Sequence, residues 1–146
     1  MPVELIHGNR FVDSRGELDF FNSFDLTEIV RMYRIKPADT QIPRAWQGHR
    51  NEQKWFYCLT GSFVVNVIPL SEFTHIPLRN TPEIYTLRAD LQEILKIPAG
   101  YVNGFRAIEP DSELLVFSNM GLTDSKADDI RFGLSDQPFI EPSNTK

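Results

Sequence analysis

The stretch Gln53-Lys54-Trp55-Phe56-Tyr57-Cys58-Leu59-Thr60-Gly61-Ser62-Phe63-Val64-Val65-Asn66-Val67-Ile68-Pro69-Leu70 decides the fold. It holds two runs rich in β-branched and aromatic residues, Gln53 to Thr60 and Ser62 to Leu70, joined through Thr60-Gly61. Such runs read as strands, and the join reads as a tight hairpin. In the second run Phe63, Val65 and Val67 share one face, and Ser62, Val64, Asn66 and Ile68 share the other. Working outward, similar short stretches recur at Glu17 to Asn22, Val30 to Lys36, Glu83 to Arg88, Glu93 to Ile97, Asn103 to Ile108 and Glu113 to Ser118. Strands every eight to twelve residues or so, with turn signals between, predict an all-β sandwich or barrel. Ten prolines and eight glycines leave little room for a long helix. A short one is expected near Thr123 to Asp129, with Thr123 as its cap.

The chain of 146 residues is one domain's worth, read as a single domain over 1–146 with a loose tail from about residue 140. A chain of this length buries roughly 70% of its unfolded surface, so it needs no disulfide or metal staple. Its 15 Lys and Arg against 20 Asp and Glu give a net charge of -5, which argues against a nucleic-acid partner held through phosphates. The single Cys58 excludes an intrachain disulfide and a Cys-rich zinc module. Met1 to Gly8 carries Glu4 and lacks a basic region followed by an apolar stretch, so no secretory signal is expected. No apolar run approaches the 18 or so residues of a membrane span. These readings place the protein in a reducing cytoplasm, with no membrane partner.

Three regions hold polar residues among apolar ones. They are Arg44 to Lys54, which runs directly into the strand Trp55 to Leu59; Ile97 to Arg106; and Val30 to Arg34. Of the three histidines, His7 near the terminus and His75 in a Pro-flanked loop read as structural. His49 is bracketed by Arg44, Gln47 and Lys54, and alternation puts Gln47 and His49 on one face of a strand. Lys54 lies past a turn-like segment and is able to point into the same cavity, although it and Arg44 also read as solvated surface charges. Trp55, Phe56 and Tyr57 read as core or interface packing.

The succession Arg44-Ala45-Trp46-Gln47-Gly48-His49, Lys54 to Cys58, Gly61, and Ile97-Pro98-Ala99-Gly100-Tyr101-Val102-Asn103-Gly104-Phe105 resembles the cupin superfamily. More narrowly, it resembles the dTDP-4-dehydrorhamnose 3,5-epimerases and the related dTDP-sugar 3,4-ketoisomerases, over about Glu17 to Phe132. The resemblance implies a double-stranded β-helix, or jelly-roll, barrel. It also implies a homodimer that holds a nucleotide-linked keto sugar in the barrel mouth without a cofactor. Metal-binding members of the superfamily carry ligands where this chain has Gln47, His49, Lys54 and Asn103. One imidazole beside an ammonium is a poor divalent-cation site, so no metal is expected.

Departures from the pattern shape the expected chemistry. The base of the 3,5-epimerases falls at Gln47 and a second family histidine at Asn103. The strand that carries the family's acid tyrosine reads Leu114-Leu115-Val116-Phe117. An amide takes no proton, so 3,5-epimerisation by that route is not expected. The second histidine of the ketoisomerase motif, its proton-transfer residue, matches His49, and Tyr33 matches the first of that group's upstream aromatic pair. The expected site is therefore His49 as base, Tyr33 as proton donor or carbonyl partner, and Lys54 stabilising an enediolate. Arg44, Gln47, Arg50, Asn103 and Arg106 would bind substrate, with Arg44, Arg50 and Arg106 facing a diphosphate. A sugar-nucleotide-binding module without chemistry, and a purely structural polar network, are the alternatives. Aromatics on both faces of Trp55 to Tyr57 suggest that one face lines the barrel and the other meets a second copy.

Overall fold

The structure, a computed structural model, describes residues 2–70 and 81–142, so the expectation for His75 lies outside the described residues. The N-terminal segment forms β1 (Glu4–His7), β2 (Asn9–Asp13) and β3 (Gly16–Phe20). Eight strands follow: β4 (Arg31–Ile35), β5 (Arg44–His49), β6 (Lys54–Thr60), β7 (Ser62–Pro69), β8 (Glu83–Arg88), β9 (Glu93–Ile97), β10 (Tyr101–Ala107) and β11 (Glu113–Ser118). The helix α1 (Leu122–Ala127) and the strand β12 (Asp129–Arg131) complete the described elements.

Strand pairing from β4 to β11 is nested and antiparallel: β7 with β8, β6 with β9, β5 with β10, β4 with β11. Rolling up such a long hairpin brings β6 beside β11 and β7 beside β10. The resulting five-stranded sheets have the orders β1-β9-β6-β11-β4 and β12-β5-β10-β7-β8. This is the jelly roll that the resemblance implied. The Thr60-Gly61 turn is present where expected. Gly61 has φ +75°, and a Cβ there would collide with the Ser112 hydroxyl, so glycine is required on both counts.

Inward faces of the strands change character along the barrel. On β6 the inward sequence is Lys54, Phe56, Cys58; on β10 it is Asn103, Phe105, Ala107; on β4 it is Arg31, Tyr33, Ile35. One half of the interior is therefore apolar. Phe56, Cys58, Phe63, Val65, Val67, Leu87, Leu95, Phe105 and Leu114 form one cluster there, with Phe105 edge-on to both Phe56 and Phe63. Phe63, Val65 and Val67 face this core, as alternation predicted. Ile68, on the other face, joins Trp46, Leu70 and Val102 in a second cluster. The opposite half of the barrel is polar, and the cavity lies there.

Several expectations need correction. The helix runs Leu122–Ala127 and begins after Gly121 without a side-chain cap, so Thr123 lies inside it. The strands β1 and β12 extend the five-stranded sheets beyond the stretches read as strand-rich, and β2 pairs with β3 in a separate two-stranded sheet. Of the tail expected to be loose from about residue 140, Ile140 and Glu141 are tied down, and 143–146 lie outside the described residues. Asn66 exchanges two hydrogen bonds with the Ile140 backbone, and Glu141 pairs with Arg106. Trp46 donates its Nε1–H to the Gln137 carbonyl at 2.7 Å, so this segment covers the outer face of β5, β10 and β7. Trp55 is buried within the chain, and Tyr57 packs edge-on against Phe21. Of the outward aromatics expected to meet a second copy, Trp55 is therefore covered by the chain itself, and Tyr57 is half-buried.

Candidate active site

A cavity of about 540 Å³ opens at the polar end of the barrel. Its inner wall is built by Tyr33, Gln47, Lys54, Phe56, Asn103, Phe105 and Val116, and its mouth by exposed Arg44, Leu122, Lys126 and Arg131. Simple alternation would not put Arg44 and Gln47, three residues apart, on one face. A bulge in the β5–β10 register resolves this: Arg44 pairs with Phe105 and Gln47 with Asn103, so three steps on one strand match two on the other. Both side chains then join Phe105 and Asn103 at the cavity. Gly104 sits opposite the bulge, where a Cβ would collide with Ala45.

A hydrogen-bonded chain crosses the inner wall. Lys54 Nζ donates to Gln47 Oε1 at 3.0 Å, Gln47 Nε2 donates to Asp129 Oδ1 at 3.0 Å, and Arg131 Nε donates to Asp129 Oδ2 at 2.8 Å. The amide is thereby oriented, oxygen toward the lysine and nitrogen toward the carboxylate. Burial pushes the Asp129 carboxyl upward, but the bonds from Arg131 and Gln47 outweigh this and hold it below the usual carboxylate range. Tyr33 has two cations over its ring, the Arg31 guanidinium at 5.0 Å and the Lys54 ammonium at 5.8 Å from the centroid. Asn103 donates to the Gln47 backbone carbonyl at 3.4 Å. Among the described residues, five cationic side chains and one carboxylate line the cavity of a chain whose net charge is -5.

Five of the expected site residues thus come together around this cavity: Tyr33, Arg44, Gln47, Lys54 and Asn103. His49, Arg50 and Arg106 do not line it. Arg106 is turned away, its guanidinium bound to Glu141 and to the Thr40 and Ala107 carbonyls. Arg50 is exposed outside the cavity. The imidazole of His49 is buried behind the wall, with Nδ1 3.1 Å from Glu52 Oε1 and 3.8 Å from Asp128 Oδ2. These are ion-pair distances without the alignment of a hydrogen bond, so neither ring nitrogen has a hydrogen-bond partner among the described residues. Burial and then the Lys54 charge push this histidine below its ordinary pKa; Glu52, Asp129 and Asp128 oppose them without prevailing. The ring is therefore neutral at neutral pH.

The structure adds residues that the sequence reading passed over. Arg31, Lys126, Asp129 and Arg131 line the cavity, and Glu52 organises its back wall. Arg31, inside Val30 to Arg34, and Glu52, inside Arg44 to Lys54, lay within regions singled out; Lys126, Asp129 and Arg131 did not. His49, Glu52 and Asp128 have ligating atoms within 4.8 Å of one another, as a metal centre would. Yet Glu52 is bound by Arg31 and two serine hydroxyls, and Asp128 accepts from the Asn51 and Glu52 backbone. A cation 3.1 Å from one carboxylate oxygen makes the set a poor match for a divalent ion.

No protein-family model and no curated relative matches the chain at the level of sequence. Solved structures do match. A sugar 3,4-ketoisomerase from Thermoanaerobacterium thermosaccharolyticum in complex with TDP is 24% identical, with TM-score 0.70 over 89% of this chain and 88% of that one. The dTDP-4-dehydrorhamnose 3,5-epimerase of Bacillus anthracis, with TDP and PPi bound, is 19% identical, with TM-score 0.74 over 96% and 87%. The fold is that of the cupins. A 3,4-ketoisomerase from Helicobacter canadensis, 18% identical with TM-score 0.71 over 90% and 92%, has the same fold. The cupin barrel thus accounts for the nested strand pairing and for a cavity at one end. Among the described residues no helix is long and apolar enough to cross a membrane.

Proposed function

We propose that this cupin is a cofactor-independent isomerase of a nucleotide-linked, dTDP-type 4-keto-6-deoxy sugar, working by 3,4-ketoisomerase chemistry with His49 as base. The observation that carries the reading is the cavity itself: a jelly-roll mouth with five cations against one carboxylate, in an acidic protein. Local charge of this kind recruits an anion whatever the distant average. The exposed Arg44, Lys126 and Arg131 suit a diphosphate, for which the guanidinium fork offers paired donors. A structural neighbour of this chain is a ketoisomerase variant in complex with TDP-4-keto-6-deoxyglucose. Its likeness in fold makes the same class of ligand the natural reading here.

The chemistry in this reading is an enolisation at the inner wall of the cavity, with His49 reaching the sugar from behind that wall. His49, neutral at working pH, takes the C3 proton and returns it to C4. The hydroxyl proton passes from O3 to O4, so a 3-hydroxy-4-ketone becomes a 4-hydroxy-3-ketone with nothing added or lost. Lys54 stabilises the enediolate oxygen, Tyr33 hydrogen-bonds on the carbonyl side, and Gln47 and Asn103 hold the sugar. We also read the protein as a cytoplasmic homodimer. Exposed Met32 on the edge strand β4, with Phe11 and Leu18 on the β2–β3 hairpin, supplies apolar surface for a second copy.

One observation favours a second reading, a sugar-nucleotide-binding barrel without turnover. His49 stands behind a wall whose polar members, Gln47, Lys54 and Asp129, already satisfy one another. Incubation with dTDP-4-keto-6-deoxyglucose, followed by product analysis and by calorimetric titration, separates the two. A rearranged keto sugar that His49→Ala no longer forms supports the isomerase. Tight binding of unaltered ligand supports the binding barrel.

A further inference from the structure

Glu52 stands in the turn between β5 and β6, and its side chain is fully buried. A carboxylate offers about four lone-pair positions. On Oε2 they are taken by Arg31 Nη2 at 3.1 Å and by the Ser118 hydroxyl. On Oε1 the Ser125 hydroxyl donates at 2.7 Å, which leaves one position open. The nitrogen beside that atom is His49 Nδ1, at 3.1 Å. Asp128 Oδ2 is farther, at 3.8 Å, and already accepts the backbone N–H groups of Asn51 and Glu52.

A buried N–H without an acceptor is costly, so the ring proton goes where an acceptor waits. Nδ1–H beside Glu52 meets that need after a small turn of the ring. The charged groups acting on the ring are Lys54 from β6, Glu52 from the turn, Asp128 from the end of α1 and Asp129 from β12. Tyr101 lies opposite His49 on β10.

We propose that Glu52 is a positioning residue that fixes His49 as the Nδ1–H tautomer and leaves Nε2 as the proton-accepting atom. The proposal rests on the reading of His49 as the base given above. The same carboxylate ties Arg31 and, through Ser125, helix α1 to the back of the cavity. Ring orientation and cavity wall therefore share one anchor.

Nitrogen-15 NMR of the resting protein at neutral pH tests this, with the His49 signals assigned by their loss in His49→Asn. The expected spectrum has a pyrrole-type Nδ1 and a pyridine-type Nε2. In Glu52→Gln that pattern shifts toward Nε2–H. Turnover in the same variant falls by up to about 10⁴-fold, the size of effect seen when a carboxylate stops fixing a catalytic histidine's tautomer, with KM little changed. Glu52→Asp regains part of it. A wild-type ring protonated at Nε2, a doubly protonated ring, or an Nδ1–H ring unchanged in Glu52→Gln overturns the proposal. Should Glu52→Gln fail to fold, the wild-type spectrum and the Glu52→Asp spectrum decide. A Glu52-dependent Nδ1–H ring in a protein without turnover removes the base role and leaves the positioning role standing.

Discussion

Lys54 Nζ donates to the amide oxygen of Gln47 at 3.0 Å, deep in the barrel, so its hydrogen-bond partner among the described residues is a neutral acceptor and not a carboxylate. An ammonium has three N–H donors, so two remain for the cavity. Arranged this way, Lys54 is prepared for negative charge that develops on a ligand oxygen rather than neutralised in advance.

Replacing it tests that arrangement. Lys54→Met keeps the apolar stem of the side chain and removes the donors. We expect a loss of about 10²–10³-fold in kcat with nucleotide affinity retained, measured by steady-state kinetics and by calorimetric titration with dTDP. Lost affinity with unchanged turnover of bound ligand would place Lys54 on the diphosphate instead.

The mouth and the far side of the barrel should behave differently. Arg44 and Arg131 are exposed at the cavity, whereas Arg106 is engaged by Glu141 and Thr40. Arg44→Ala and Arg131→Ala should each weaken dTDP binding, by an amount that shrinks as salt is raised. Arg106→Ala should leave binding unchanged and lower the melting temperature instead, because it releases the C-terminal segment. Equal losses of affinity in all three variants would contradict the placement of the diphosphate.

Stability should depend on pH through His49. Its ring resists protonation in the folded protein, while in the unfolded chain it titrates near 6.5. Below that value the unfolded state binds more protons, so stability falls as the pH drops; the His49 contribution is complete above pH 6.5. Urea midpoints taken from about pH 8 down to about pH 5 should decline more steeply in the wild type than in His49→Gln. Parallel curves would show a ring that titrates normally.

Arg31 matters to the fold as well as to the cavity. Its guanidinium is the counter-charge of the fully buried Glu52. Arg31→Met leaves that carboxylate without a cationic partner, and breaking a buried pair in this way costs about 3–5 kcal/mol. Denaturant unfolding measures it. A double variant, Arg31→Met with Glu52→Gln, should regain part of the loss, and strictly additive losses would argue against a coupled pair.

The fold was legible because its strongest strands, on either side of Gly61, carry both the hairpin signal and the alternation. The mouth of the site was legible less evenly. Tyr33, Gln47, Lys54 and Asn103 lie at positions that resemble family motifs, and each is at the cavity. Arg44 reaches it only through a register bulge, which alternation does not reveal. Arg106 follows Phe105 on β10, and alternation turns its side chain to the outer face. Lys126 and Arg131 come from a helix and a strand whose closeness to β5 is a tertiary fact, invisible as local pattern. Glu52 reads as an ordinary turn carboxylate in a charged stretch, and only packing shows that it is buried. His49 lies on the expected face of β5, yet one pair of residues farther along than Gln47, behind the wall.

The most direct measurement is proton NMR of dTDP-4-keto-6-deoxyglucose incubated with the protein in D2O, followed at C3 and C5. The account predicts exchange at C3 with the appearance of a rearranged keto sugar, and loss of both in His49→Ala. Bound but unexchanged ligand, or exchange that persists without His49, would contradict it.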